Sequence, residues 1–311
     1  MKTSRVLFSL IITLAFLLSG CSTTQKPLQN SFYYLDGSDE RLQVWRMERD
    51  GVTRGQITDE PSGVDNFAVS SKGDLAIVTD NQLLLMDIKE RNRRMIADGD
   101  TVIASGEEAY FNTTVDFPSF SPDGKTLAYA LDGIHLYDVG SGVDEHVLKN
   151  LDNLLNEPFV FVKEVYSPGD WSPDGIRLII TMGYYEGSTL AVVQPGAPEP
   201  FTRLRTDGAV CCLYTWSADG QSILVANPWF SGTLPGLWRF DAKTGEETLF
   251  VPGDLGGRKI NFIGWPYQDE RGAMYYFHSY IEDFIPPEET LFTLVRTDEQ
   301  GQDPKNVLED E

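Results

Sequence analysis

The chain has 311 residues, with 25 Lys and Arg against 47 Asp and Glu, so its formal net charge is −22. A hydrophobic fraction of 41% with 12% aromatic residues is typical of a folded globular protein and excludes general disorder. The acidic balance excludes a nucleic-acid-binding or polybasic membrane surface, because both need clustered cations. Three cysteines are too few for a disulfide framework.

The first segment predicts a signal peptide. Lys2 and Arg5 precede an apolar run over Val6–Leu18, which is short for a permanent membrane span. The run ends in Leu-Ser-Gly-Cys at Cys21 and resembles the lipobox of bacterial lipoproteins. That resemblance implies cleavage before Cys21 and lipidation of its sulfur. Because Ser22 follows rather than Asp, it implies the outer membrane facing the periplasm in a Gram-negative cell, and otherwise the outer face of the cell membrane. An ordinary secretory signal remains the alternative.

A turn motif recurs through the rest of the chain. It reads Phe120-Ser121-Pro122-Asp123-Gly124, Trp171-Ser172-Pro173-Asp174-Gly175, Trp216-Ser217-Ala218-Asp219-Gly220 and, in degenerate form, Val69-Ser70-Ser71-Lys72-Gly73. The serine can cap the turn, the proline presets φ, the aspartate suits the second central position, and the glycine takes the left-handed conformation. The paired residues Asp123 and Gly124, Asp174 and Gly175, and Asp219 and Gly220 are therefore predicted to be structural.

Short runs rich in β-branched and aromatic residues flank each turn, and two further runs follow them. Four strands in each repeat of roughly 45–52 residues are typical of propeller blades. Copies begin near residues 32, 64, 113, 164, 208 and 259, and the first lacks an obvious innermost strand. The sequence therefore predicts an all-β fold, a six-bladed β-propeller with four-stranded antiparallel blades.

The segment Val44–Thr58, together with the Ser-Pro-Asp-Gly turns, resembles the TolB-type repeat over about residues 32–311. The resemblance is specific for the fold and not for function, because similar blades occur in tricorn-like proteins and beside prolyl-oligopeptidase-type hydrolases. We expect a WD-like propeller without TolB's N-terminal domain or a hydrolase domain. The expected division is a signal peptide at 1–20, a lipidated cysteine and short linker at 21–31, and the propeller at 32–311.

Motifs for catalysis or metal binding are weak in this sequence. His135, His146 and His278 have no metal-ligand spacing, and no Gly-x-Ser-x-Gly elbow occurs. The run Asp98-Gly99-Asp100 lacks the remaining ligands of a calcium loop. We therefore expect no catalytic residue, no metal ligand and no cofactor, with a structural calcium left open but unsupported.

Aromatic residues in irregular segments are the candidate binding residues. Trp229 and Phe230 lie in one predicted loop, and Tyr280 and Phe284 lie in a lengthened connection of the sixth copy. A further insertion covers residues 150–165. Three other tryptophans precede turns and are expected to pack between blades; they are Trp171, Trp216 and Trp265. The adjacent Cys211 and Cys212 are expected to be small, partly buried thiols, with a vicinal disulfide as the alternative.

These features together favour a membrane-anchored, non-catalytic propeller lipoprotein of the bacterial cell envelope. It would bind a protein partner, or a glycan or peptide, as a monomer and without nucleic acid. One alternative is a hydrolase, glycosidase or lactonase-like, with its site at the central channel of the propeller. Another is an envelope assembly component resembling TolB in role.

Overall fold

The structure is a computed structural model of the whole chain. It describes residues 30–37, 41–87, 92–99, 113–151, 164–184, 187–197, 201–204, 213–227, 236–253, 259–282 and 292–307. The chain divides into two compact units, Met1–Pro61 and Ser62–Glu311. The named elements of both units are β-strands.

The first unit contains one antiparallel sheet, blade 1, with β1 (Phe32–Asp36), β2 (Gln43–Met47) and β3 (Arg54–Gln56) in consecutive order. An innermost strand is missing from this sheet in the described residues, as the sequence predicted. Asp36 and Arg54, at the ends of its two outer strands, form an ion pair of 3.2 Å.

The second unit contains five sheets of four strands each, and each strand pairs antiparallel with its neighbours in the sheet. Blade 2 has β4 (Asn66–Val69), β5 (Asp74–Thr79), β6 (Gln82–Asp87) and β7 (Arg93–Asp98). Blade 3 has β8 (Asp116–Phe120), β9 (Thr126–Ala130), β10 (Gly133–Asp138) and β11 (Asp144–Lys149). Blade 4 has β12 (Val165–Trp171), β13 (Leu178–Tyr184), β14 (Gly187–Val193) and β15 (Phe201–Arg203). Blade 5 has β16 (Leu213–Trp216), β17 (Ser222–Asn227), β18 (Gly236–Asp241) and β19 (Glu247–Pro252). Blade 6 has β20 (Lys259–Gln268), β21 (Met274–Glu282), β22 (Thr293–Thr297) and β23 (Lys305–Asn306).

The fold is thus all-β, with the six antiparallel blades of a β-propeller, and the predicted fold class is confirmed. Within the described residues, no helix is long and apolar enough to cross a membrane.

The core of the second unit consists of layers between successive blades. Four buried clusters lie between blades 2 and 3, 3 and 4, 4 and 5, and 5 and 6. Each is built from alternate residues of the central strands, such as Leu127 on one blade and Val78 on its neighbour. Because side chains of a strand point to both faces, a central strand such as β13 supplies Ile179 to one layer and Ile180 to the next. This two-sided burial explains why the second strand of each copy reads as a continuous apolar run.

The Ser-Pro-Asp-Gly turns close as the sequence predicted. In blade 4, the Ser172 hydroxyl donates to Asp174 Oδ1 at 2.5 Å and accepts from the backbone N–H of Arg177 at 2.9 Å. Gly175 has a φ of +72° and donates its N–H to the Ser172 carbonyl at 2.8 Å. Blades 3 and 5 repeat these bonds with Ser121 and Ser217.

Successive turns also contact one another. A Cβ added at Gly124 would lie 3.3 Å from the Cβ of Ser70, and one added at Gly220 would lie 3.3 Å from Pro173 Cδ. The Ser71 hydroxyl donates to the Pro122 carbonyl at 2.8 Å. The turns of blades 2 to 5 therefore form a continuous, closely packed surface at one end of the strands.

Candidate functional site

A cavity of about 520 Å³ lies beside the turns of blades 3 to 6, and we call it the turn-face site. Its lining residues come from the ends of the innermost strands and from the turns; they are Ser119, Phe120, Pro122, Asp170, Trp171, Pro173, Thr215, Trp216, Ser217, Ala218, Tyr267, Gln268 and Glu270. Four blades thus contribute to one concave surface, and its size and shape are suited to ligand binding.

The turn-face site is built from equivalent positions of the repeat. Counting back from the turn glycine, the fifth position is Ser119, Asp170, Thr215 or Tyr267 in blades 3 to 6. The fourth position is Phe120, Trp171, Trp216 or Gln268. The fourth position supplies an aromatic side chain in blades 3 to 5, and in blade 6 the aromatic residue is Tyr267 at the fifth position. Asp170 is the one charged residue among the four at the fifth position.

Hydrogen bonds between blades fix the walls of this site. Trp171 Nε1 donates to the Ser119 carbonyl at 3.1 Å, and Trp216 Nε1 donates to the Asp170 carbonyl at 2.9 Å. Each indole thus reaches back to the preceding blade, which confirms that these two tryptophans pack between blades. In blade 6 the contact runs the other way, because Gln268 Oε1 accepts from the N–H of Ala218 at 3.1 Å.

Asp170 is the electrostatic centre of the turn-face site. Its carboxyl group opens to solvent but lies in a concavity, and the resulting desolvation raises its pKa. Within the described part of the chain it has no hydrogen-bond or ion-pair partner for its carboxylate. The pKa of Tyr214 is raised to about 12, first by burial and then by the charge of Asp170. Gly169 leaves room for this tyrosine, since a Cβ there would lie 2.1 Å from its hydroxyl.

A second cavity of about 650 Å³ lies along blade 6 and the edge of blade 5. It is lined by Val251, Tyr276, His278, Ser279, Tyr280, Thr293, Val295, Pro304, Lys305 and Asn306. Desolvation lowers the pKa of His278, so its imidazole is neutral at neutral pH. Lys305 is paired with Asp303 at 3.1 Å. None of the described residues that line this cavity carries a carboxylate.

Of the predicted binding residues, Tyr280 is described and is 67% exposed at the mouth of this second cavity. The other predicted sites lie outside the described residues; they are Cys21, Trp229, Phe230 and Phe284, together with Cys211, Cys212 and most of the 150–165 insertion. Asp123, Gly124, Asp174, Gly175, Asp219 and Gly220 occupy the turns.

The expectation for Trp265 is wrong. It lies seven residues before the turn glycine of blade 6, at a bulge between Gly264 and Tyr267, whereas Trp171 and Trp216 lie four residues before theirs. Its equivalent is Phe117 in blade 3 rather than Trp171, and both residues have a left-handed φ, +50° and +54°. Trp265 is 54% exposed and packs edge-on against Phe277 and Phe292.

Two other polar groups of the second unit were missed or underestimated by the sequence analysis. Asp65 has a raised pKa from desolvation and from the nearby charges of Asp116 and Asp80. On the outer part of blade 3, His135 bonds Asp144 at 2.9 Å and stacks on His146 with ring centroids 4.1 Å apart. No group of three or more His, Cys, Asp or Glu suited to a metal ion occurs among the described residues.

No protein-family model and no curated protein matches this sequence. Solved structures do. Putative TolB from Agrobacterium tumefaciens has 15% identity and a TM-score of 0.49, covering 82% of this chain and 83% of its own. A prolyl endopeptidase has 13% identity and a TM-score of 0.59, with 91% of this chain and 42% of its own covered.

The dihydro-heme d1 dehydrogenase NirN has 11% identity and a TM-score of 0.53, with 93% of this chain and 56% of its own covered. This chain spans less than two thirds of the length of the endopeptidase and the dehydrogenase. At such identities the similarity shows the fold alone. The matches with TM-scores above 0.5, to the endopeptidase and the dehydrogenase, thus concern the fold alone.

Proposed function

We propose that this protein is a non-catalytic binding module of the bacterial cell envelope that holds a protein partner at the turn-face site. One observation carries the proposal: four successive blades place equivalent residues around a single concave surface. Its lining includes four aromatic residues and the exposed carboxylate of Asp170; the aromatic residues are Phe120, Trp171, Trp216 and Tyr267. Aromatic residues in a rigid, partly desolvated concavity are typical anchors of protein interfaces. The turns that support them are fixed by hydrogen bonds within and between blades.

The absence of a complete catalytic set from this site supports binding over turnover. Its lining residues include neither histidine nor cysteine. The hydroxyl of Ser217 donates to Asp219 at 2.6 Å and serves the turn. We therefore assign no catalytic residue.

A hydrolase acting on a glycoside is the second candidate. The raised pKa of Asp170 is the property that a general acid needs, and Glu270 lines the same cavity as a possible second carboxylate. The test is a screen of glycoside, lactone, ester and peptide substrates with the full-length protein. Turnover that is lost in both Asp170→Asn and Glu270→Gln would replace the binding proposal by this one.

The proposed location follows from Cys21. We propose that its sulfur is lipidated and that the protein is a monomer anchored by this lipid, at the outer membrane facing the periplasm if the cell is Gram-negative. Several acyl chains bind a membrane firmly, since each buried CH₂ contributes about 0.8 kcal/mol. Metabolic labelling with palmitate should mark the wild type and leave Cys21→Ser unlabelled. Labelling of that variant would contradict the assignment.

The binding proposal is tested by photo-crosslinking in living cells. A photoreactive amino acid is placed at Tyr267 in the turn-face site and, as a control, at Val143, which is 62% exposed on the outer hairpin of blade 3. A discrete crosslinked envelope protein at position 267, absent at 143, supports the proposal. Equal crosslinking at both positions, or none at 267, would count against it.

A further inference from the structure

We propose that the turn-face site binds a lysine or arginine side chain presented by an extended segment of the partner protein. This inference rests on the proposed function and adds the chemistry of the partner. It begins from the charge of the lining residues: Asp170 and Glu270 are acidic, and no lining residue is basic.

The unpartnered carboxylate of Asp170 is the strongest indication of a cation. It stands in a concavity where water solvates it incompletely, and among the described residues no side chain compensates its charge. A ligand that buries this carboxylate without supplying a positive charge or a donor would leave it desolvated at a high energetic cost. A neutral glycan meets this requirement poorly, whereas an ammonium or guanidinium group meets it fully.

The aromatic walls fit the remainder of a basic side chain. Aromatic faces attract cations, and they also pack against the methylene stem of Lys or Arg. The site already shows this contact at its edge: the Arg177 guanidinium lies 5.4 Å from the Trp216 ring centroid while its Nη2 donates to the Gly220 carbonyl at 2.6 Å. Arg177 is thereby held at the turn. Trp171 and Tyr267 remain to receive a ligand.

The charge of the whole chain reinforces the local argument. A formal net charge of −22 attracts basic segments and speeds their encounter, an effect that salt weakens. A general attraction cannot by itself select one site. The test must therefore separate the turn-face site from the rest of the acidic surface.

The experiment selects random peptides, displayed on phage, against the full-length protein in a non-ionic detergent. Enriched peptides are synthesised in matched pairs, with each arginine replaced by citrulline and each lysine by norleucine. Affinities are measured for the wild type and four variants. Asp170→Asn and Tyr267→Ala alter the site, while Glu145→Gln on β11 and Phe32→Ala on β1 are charge and aromatic controls, and all four side chains are exposed. Thermal unfolding of each variant verifies that it is folded.

We expect enriched peptides to contain Lys or Arg and to weaken at least about tenfold on Asp170→Asn and on Tyr267→Ala, and less than about twofold on the two controls. Citrulline or norleucine should weaken binding to the wild type at least about tenfold, and binding to Asp170→Asn by much less. Peptides that depend on Tyr267 but not on their positive charge would overturn this inference and leave the proposed function standing. Peptides that lose affinity equally with Glu145→Gln, or none that depend on Tyr267, would overturn both.

Discussion

Blades 4 and 5 differ from blade 6 in how they reach the same kind of turn. In blades 4 and 5, the turn serine donates its hydroxyl to the turn aspartate. Trp171 or Trp216 precedes the turn and donates its indole N–H to a carbonyl of the preceding blade. In blade 6, Asp269 alone accepts from the N–H groups of Arg271 and Ala273, both at 2.9 Å.

The same two bonds occur in blade 2, where the hydroxyl of Ser70 accepts from Lys72 at 3.2 Å and from Asp74 at 2.9 Å. The backbone of the turn is therefore the constant feature, and the side chain that satisfies it varies. In blade 6 the residue before the aspartate is Gln268, and the tryptophan of the innermost strand lies at a bulge and is exposed. This difference between blades allows several tests.

Replacing Trp216 and Trp265 should give the largest difference in unfolding free energy between a regular position and a bulge position. Trp216 is 6% exposed and belongs to the layer between blades 4 and 5, so Trp216→Ala should lower the free energy of unfolding by about 3–5 kcal/mol. Trp265 is 54% exposed, so Trp265→Ala should cost about 1 kcal/mol or less. Chemical denaturation of the two variants measures both values. Equal losses would show that the bulge position is as buried as the regular one.

The turn glycines give the next effect. Gly124 has a φ of +64° and lies close to Ser70, so Gly124→Val should cost on the order of 1–2 kcal/mol through strain and contact. Gly73 has a φ of +94°, and a Cβ added there would have open space around it. Gly73→Val therefore strains the backbone but clashes with no neighbour, and it should cost less stability than Gly124→Val. Melting temperatures rank the pair. The reverse order would mean that the contact between turns is unimportant.

The single aspartate of blade 6 tests the substitution of one turn chemistry by another. Asp269→Ala removes the acceptor of two backbone N–H groups and should cost about 1 kcal/mol. Asp269→Ser should restore most of that stability, because Ser70 accepts the equivalent two bonds in blade 2. The measurement is urea denaturation of both variants. A serine variant as unstable as the alanine variant would refute the equivalence.

Acid should weaken the turns of blades 3 to 5 slightly. Hydrogen bonds from the backbone N–H of Lys125 lower the pKa of Asp123 to about 2, and bonds led by Ser172 and Ser217 lower the pKa values of Asp174 and Asp219. A depressed folded pKa contributes stability above the ordinary value near 4, and that stability is lost as pH falls from about 4 to about 2.

Thermal unfolding between about pH 5 and about pH 2 measures this loss. Asp123→Asn, Asp174→Asn and Asp219→Asn should each flatten the acid limb of the stability profile. Asp170 acts in the opposite direction, because its raised pKa makes protonation more favourable in the folded chain. Asp170→Asn should therefore steepen the limb. If none of these variants changed the dependence of stability on pH, the pKa shifts assigned to these aspartates would be contradicted.

The sequence by itself determined the blades and their turns. Ser-Pro-Asp-Gly has one favourable conformation, and the apolar runs on either side require burial on both faces, so local chemistry was sufficient for the fold class and for Asp123, Asp174 and Asp219. It also predicted the contacts of Trp171 and Trp216 between blades.

Only the tertiary structure decided which residues meet. Asp170 and Tyr267 are almost one hundred residues apart, and they share a cavity because equivalent positions of neighbouring blades converge. The sequence did carry a signal for Asp170, as the one charge among the residues five before each turn glycine. Its desolvation had no such signal, because solvation depends on the shape of the surrounding blades. The seven-residue spacing between Trp265 and its turn glycine was readable in the sequence, but its exposure is set at a bulge by the pairing of β20 with β21 rather than by either strand alone.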